Sequence, residues 1–140
     1  MPLWHHDLKK KKITGGKKRP YRSKRAFEAG GFASETSLGA SFRTVKKVHG
    51  GALKTKLLSE KYANVTDPSA NITKKAEIVR VLNNPVNAEY NRRKIMTKGT
   101  LIETSLGEAI ITSRPGQIGA ISAILTKKGA ISAILTKKRG

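Results

Sequence analysis

The chain has 140 residues, room for one modest domain with tails, and carries 29 Lys or Arg against 9 Asp or Glu, a formal charge of +20. That surplus opposes compaction of the free protein and favours condensation onto phosphate, so nucleic acid is the expected partner. The absence of cysteine removes disulfides and thiolate metal sites, and no apolar run is long enough to span a bilayer.

The opening MPLWHHDLKKKK lacks the continuous apolar stretch of a secretory signal, so a cytoplasmic protein is expected. Residues 1–41 mix Gly, Ser, Pro and charge without sustained periodicity and are predicted to form an extended basic arm. Within it Lys9, Lys10, Lys11, Lys12, Lys17, Lys18, Arg19, Arg22, Lys24 and Arg25 occur with no acid among them, a stretch that cannot bury enough apolar surface to fold alone. Gly15-Gly16 permits close backbone approach to a ligand, and Trp4 and Tyr21 offer rings for stacking, a combination that points to RNA. The few large apolar residues of this arm have no helical spacing, which argues against a membrane-surface helix. His5-His6-Asp7 are contiguous and cannot easily converge on one ion, so no metal or cofactor is expected. Lys24–Ala29 is predicted to make a helical turn stopped by Gly30-Gly31.

From Phe42 the pattern becomes that of strands. Residues 42–48 alternate up to the turn at Gly50-Gly51, and residues 53–58 follow with one basic face, so a first hairpin half apolar and half phosphate-facing is expected. Tyr62–Thr66 is short and β-prone, and Asp67-Pro68 opens a turn. Lys75–Leu82 alternates as a strand, although Ile78, Val81 and Leu82 also suit one helix face; β-branched content and the breakers Asn83-Asn84-Pro85 favour the strand. Asn87–Lys94 is the best short-helix candidate, with Arg92, Arg93 and Lys94 in its last turn, where cations are favoured. Strands at 95–98, 100–104 and 108–113, a loop at 114–117 and a closing strand at 120–125 complete the pattern. The fold class is therefore all-β: a small antiparallel β-barrel over 42–126, with one short helical excursion and the extended basic arm in front.

The C-terminus repeats itself, because GAISAILTKK at 119–128 recurs unchanged at 129–138. Only one copy can fill a given strand position; the first is expected to do so, and residues 127–140 are read as a basic tail. Register exchange between the copies is the alternative.

Cations recur through the β region at Arg43, Lys46, Lys47, Lys54, Lys56, Arg92, Arg93, Lys94, Lys98 and Arg114, so arm and barrel share one electrostatic task. With the turn His49, Gly50 and Gly51, and with Gln117, they form the barrel's share of the candidate RNA-contacting set. No nucleophile–base grouping can be assembled, and Gly15-Gly16-Lys17 lacks the spacing of a phosphate-binding loop. An RNA-acting enzyme using Glu103, Glu108 or His49 is the remaining catalytic alternative, but nothing in the sequence groups these residues. No enzyme activity and no small-molecule substrate are expected.

Several short motifs together resemble the archaeal and eukaryotic-type small-subunit ribosomal protein S-eight-e family. They are Thr14-Gly15-Gly16, Arg19-Pro20, Lys24-Arg25 followed by Glu28, Thr36-Ser37-Leu38-Gly39, Gly50-Gly51, Tyr62-Ala63-Asn64-Val65, Asn84-Pro85, Arg92-Arg93, Thr97-Lys98-Gly99 and, most specific, Thr112-Ser113-Arg114-Pro115-Gly116-Gln117. They run in order through roughly residues 4–126. The resemblance implies a structural protein of the small ribosomal subunit, with a barrel-like domain docked on ribosomal RNA among neighbouring ribosomal proteins. It carries over Thr14, Gly15, Gly16, Lys17, Lys18 and Arg19 as close RNA contacts and Arg114–Gln117 as a constrained loop. The chain departs from the family at Ala52, where Asn is usual, and at Ile118, where Asp is usual; the duplicated tail has no counterpart. A large-subunit assembly factor with a related barrel is the runner-up, disfavoured because a much longer N-terminal region is expected there.

Overall fold

The computed structural model describes residues 3–4 and 11–128, except for the side chains of His49, Lys127 and Lys128. Lys9, Lys10, the His5-His6-Asp7 cluster and the second decapeptide copy lie outside the described residues. The chain divides into two compact units, one ending at Ala33 and one beginning at Ser34.

In the first unit, β1 (Leu3–Trp4) pairs antiparallel with β2 (Ala29–Gly30), Trp4 lying opposite Ala29. A 3-10 helix at Ala26–Glu28 precedes β2, inside the stretch where the sequence predicts a helical turn. The turn is fixed by Glu28, whose carboxylate accepts from the Arg25 backbone N–H at 3.0 Å while its own N–H donates to the Arg25 carbonyl.

The second unit contains two sheets. β3 (Ser37–Leu38), β4 (Phe42–Lys47) and β5 (Leu53–Glu60) form a three-stranded sheet with β5 central, parallel to β3 and antiparallel to β4. β6 (Tyr62–Asp67), β7 (Ile72–Asn83), β8 (Leu101–Thr104), β9 (Gly107–Ile111) and β10 (Ser122–Lys128) close a barrel in the order β10-β6-β7-β8-β9. The all-β barrel expected from the sequence is thus present, but the first hairpin is not one of its staves. Closure is made by a parallel pair, with Ser122 opposite Asn64 and Ala123 opposite Val65.

Five strands enclose a narrow interior, and the sequence fills it with alternating small and large residues. Ala63 lies opposite Ala76 and Ala109 opposite Ile102; with Val65, Ile78, Val81, Ile111, Ile121 and Ala123 they are all at most 4% exposed. Each fully buried Val or Ile is worth about 1.5–3 kcal/mol, so this row contributes strongly to the unit's cohesion, with Leu57 and Met96 buried beside it. β7 explains its own ambiguous sequence. Its register shifts between Ile78 and Arg80, which turns both Val79 and Arg80 outward and returns Val81 to the core. The spacing of three that resembles a helix face is the imprint of this bulge.

Two local expectations are corrected. Residues 95–98 are not a strand: Ile95 and Met96 are both buried, which strict alternation forbids, and Met96 makes only an isolated bridge to Thr36. Residues 114–117 are not open loop, because Pro115 sits at the first position of a short helix, α2 (Pro115–Ile118), where its missing N–H costs nothing. The predicted helix at 87–94 is present as α1 (Ala88–Arg92), capped by the Asn87 side chain, which accepts from the Glu89 N–H at 3.0 Å. Buried Asn84 holds this excursion in place by donating to the Ile95 carbonyl at 2.7 Å and accepting from the Val86 N–H and the Thr97 hydroxyl.

Candidate nucleic-acid interface

Lysine and glycine build the hairpin of the first unit. Lys11 bridges Lys17, the Lys12 N–H donates to the Gly16 carbonyl at 2.8 Å, and the Gly15 N–H donates to the Lys12 carbonyl at 3.0 Å. Ile13, Thr14 and Gly15 thus form a three-residue loop whose last position is left-handed, at φ 83° for Gly15, which is why glycine stands there. All residues from Lys11 to Tyr21 are exposed. Among the described residues, Lys11, Lys12, Lys17, Lys18 and Arg19 take part in no ion pair. Beyond them, the Arg22 guanidinium lies 5.2 Å from the centre of the Tyr21 ring and pairs with Glu28. That carboxylate, and then the Tyr21 hydroxyl, raise the already high pKa of Arg22. The Lys24 ammonium lies 5.5 Å from the centre of the Trp4 ring, so both candidate stacking rings already face a cation.

The β4–β5 hairpin repeats the pattern in the second unit. Lys46 lies directly opposite Lys54, Thr44 opposite Lys56, and Lys47 opposite Leu53. Every residue of β4 is exposed, so this strand lacks the buried apolar face expected from its alternation. Its turn, His49–Gly51, holds Gly50 at φ 75° and Gly51 at φ 78° and is closed by the Val48 N–H donating to the Ala52 carbonyl at 2.8 Å. Like charges directly opposite one another destabilise a strand pair, so the Lys46–Lys54 pair works against the stability of this hairpin.

Acids take up several of the arginines, within this hairpin and outside it. Arg43 donates to Glu60 at 2.7 Å, Arg93 pairs with Glu35, Arg92 with Glu89 at 2.8 Å, and Arg80 with Glu103. Glu60 is 4% exposed. Burial pushes its pKa up, but the Ser41 hydroxyl at 2.8 Å, the Lys61 N–H, Arg43 and the Tyr62 N–H outweigh it and hold the carboxyl below its ordinary value. Lys94, Lys98, Arg114 and Gln117 are exposed, Lys94 at a left-handed φ of 54° just after α1 and Arg114 capping α2. Glu103 and Glu108 come directly opposite one another on the outer barrel surface, a neighbourhood not visible in the sequence. Arg80 bonds Glu103 there. No group of three or more His, Cys, Asp or Glu that would hold a metal occurs among the described residues, and no helix among them is long and apolar enough to cross a membrane.

A model of the family "Ribosomal protein S8e" matches residues 5–126. The chain is 47% identical to the small ribosomal subunit protein eS8 of Ignicoccus hospitalis, over 89% of this chain and 97% of that protein. It is 46% identical to the protein of the same name from Hyperthermus butylicus, over 91% and 95%, and 44% identical to that of Methanococcus aeolicus, over 89% and 98%. The chain belongs to the ribosomal protein S8e family.

In this S8e chain, the Thr14–Arg19 motif covers the end of the first turn, the bridging Lys17 and the irregular residues after it, and the Arg114–Gln117 motif supplies the N-cap position and first three residues of α2. The two departures, Ala52 and Ile118, are both exposed, so neither alters the core. Sequence reasoning passed over Lys74 and Lys75. Lys75 stands 4.5 Å from the centre of the Tyr62 ring, and Lys74 lines a depression at the barrel end with Val65, Leu106 and Leu125. Their signal was two adjacent lysines before an apolar run, of which only Lys75 was read, as a strand start.

Proposed function

We propose that this chain is a structural constituent of the small ribosomal subunit that binds ribosomal RNA through its two lysine hairpins, with no catalytic role. The observation that carries the reading is the placement of lysine opposite lysine at Lys11–Lys17 and again at Lys46–Lys54, each beside a glycine turn. Five arginines are engaged by acids, leaving mainly lysines for the ligand. Lysine acts as a point charge on phosphate, whereas base reading favours the arginine fork. Recognition is therefore of RNA shape and backbone path. In this reading the unit ending at Ala33 acts as the RNA-binding arm and the unit beginning at Ser34 as the barrel-bearing body, whose last strand runs to Lys128, two residues into the tail expected over 127–140. The protein works in the cytoplasmic ribosome beside other ribosomal proteins. The names of the relatives favour the small subunit over the large-subunit assembly alternative.

Binding to intact small-subunit ribosomal RNA and to an unrelated structured RNA, over a salt series, tests this. The ribosomal RNA is expected to bind tighter by orders of magnitude at moderate salt. Changing Lys17, Lys18 and Arg19 together to Ala should lower the slope of log affinity against log salt by up to about 3. Equal binding of both RNAs, lost together as salt rises, would leave the charge acting without shape recognition and overturn the reading.

A further inference from the structure

The β4–β5 hairpin has two different faces. On one, Leu57 lies opposite Arg43 and is fully buried, and Thr55 lies opposite Val45 and against Gly119. Side chains alternate along a strand, so Thr44 and Lys46, with their partners Lys56 and Lys54, stand on the other. Phe42 belongs with them. The irregularity beside it lies in β5, because Phe42 is opposite Ser59 and Arg43 opposite Leu57; Leu58 is the extra residue and β4 keeps its alternation. Its two chain neighbours fix its direction as well. The Ser41 hydroxyl and the Arg43 guanidinium both donate to the buried Glu60 carboxylate, at 2.8 and 2.7 Å, which turns Phe42 between them away from that site. The ring is 59% exposed, and no cation among the described residues lies over it, whereas Trp4 and Tyr21 are each faced by one. Lys46 and Lys54 take part in no ion pair among the described residues.

We propose that this face binds an unpaired segment of RNA, one base stacking on the Phe42 ring while Lys46, Lys54 and Lys56 hold the phosphates beside it. The proposal rests on the RNA-binding reading and names the form of RNA that this face takes. An exposed ring among cations on one sheet face is the chemistry of single-strand binding: the ring takes a base plane of any identity, and the ammonium groups follow the backbone. Inside a duplex both planes of each base are already stacked on their neighbours, so the ring has nothing to cover and only the lysines act. Phe42 and Lys46 are four positions apart, about 13 Å along the strand, so the ring and the lysine pair engage different nucleotides of one extended segment. Ser41 and Arg43, tied to Glu60, hold the ring in place before the RNA arrives, so little freedom is lost on stacking. A second copy of this face is a poor occupant, because it would bring lysine against lysine.

Titration of the full chain with poly(U) and with the poly(A)·poly(U) duplex at moderate salt tests this. Phe42→Ala should weaken binding to poly(U) by about 5–150-fold and leave the duplex affinity unchanged, because an uncharged ring contributes only stacking. Its salt slope should stay that of the parent, whereas K46A/K54A should lower the slope on poly(U) by about 1.4. Phe42→Trp should bind poly(U) at least as tightly as the parent, with indole fluorescence quenched beyond the change that Trp4 gives alone. Val45→Ala, on the opposite face, should bind both RNAs as the parent does. Because the Phe42 ring is largely exposed, F42A should also unfold in urea as the parent does. A parent that binds neither RNA in a salt-dependent way sinks the RNA-binding reading itself. A parent that binds both, with F42A unchanged on poly(U) or weakened equally on the duplex, overturns this proposal alone. V45A as weak as F42A overturns the assignment of the face.

Discussion

Glu60 is an acid shielded from water in a chain of large positive charge, and its surroundings define its task. Ser41, Arg43 and two backbone N–H groups converge on its carboxylate and tie the β4–β5 hairpin to the start of β6. Replacing Glu60 by Ala leaves these donors facing an emptied site and should cost about 1–3 kcal/mol, read by chemical denaturation at neutral pH. The sign with pH follows from the lowered pKa: the ionised form is favoured by folding, so this stability is complete above the ordinary carboxylate value of 4.5 and is lost as pH falls below it. Glu60→Gln should flatten that acid limb of the stability profile, and an unchanged limb would remove Glu60 as its source. Arg43 was legible in the sequence as a cation near the hairpin. Its partner was not, because Glu60 lies 17 positions on and only strand pairing brings the two together.

At the scale of elements, the β4–β5 hairpin would, on the proposed RNA-binding reading, set stability against binding. Lys54→Glu turns the repulsion with Lys46 into attraction and should stabilise the free protein by about 0.2–1 kcal/mol. The same change should weaken RNA binding and lower its salt slope; a variant gaining stability with no loss of affinity would exclude this hairpin from the interface. Removing residues 129–140 should leave cooperative unfolding intact, since β10 is built from the first copy. Local signals were read well at the helix expected over Asn87–Lys94, where α1 forms, while the cap made by the Asn87 side chain and the turn closed at Gly15 emerge only in the structure. They failed where the partner is distant. Residues 95–98 look like a strand in isolation, yet Met96 answers to Thr36 from another part of the chain. The bulge in β7 was present in the spacing of Ile78 and Val81, but a helix face produces the same spacing.

For the molecule as a whole, the charge of +20 opposes folding of the free protein and, on the proposed RNA-binding reading, favours binding. Raising salt from about 0.05 to 0.5 M screens self-repulsion and should raise the melting temperature of the free protein, while it weakens the RNA complex. A melting temperature that falls over this range would show that internal ion pairs outweigh the repulsion. The fold class was readable from the run of short alternating segments, but the sequence offered no sign that the barrel closes through a parallel pair. Strand pairing of that kind is decided by partners far apart along the chain. β6 pairs in parallel with β10, Asn64 meeting Ser122 after 58 intervening steps. At about 5–20 residues per second, a ribosome making this chain holds β6 without its second neighbour for about 3–12 seconds. The lysine hairpins have been synthesised by then, so the nascent chain carries much of its positive charge before its barrel is complete. Mutual repulsion among such unfinished chains keeps their open edges apart, giving the same charge a protective role during synthesis.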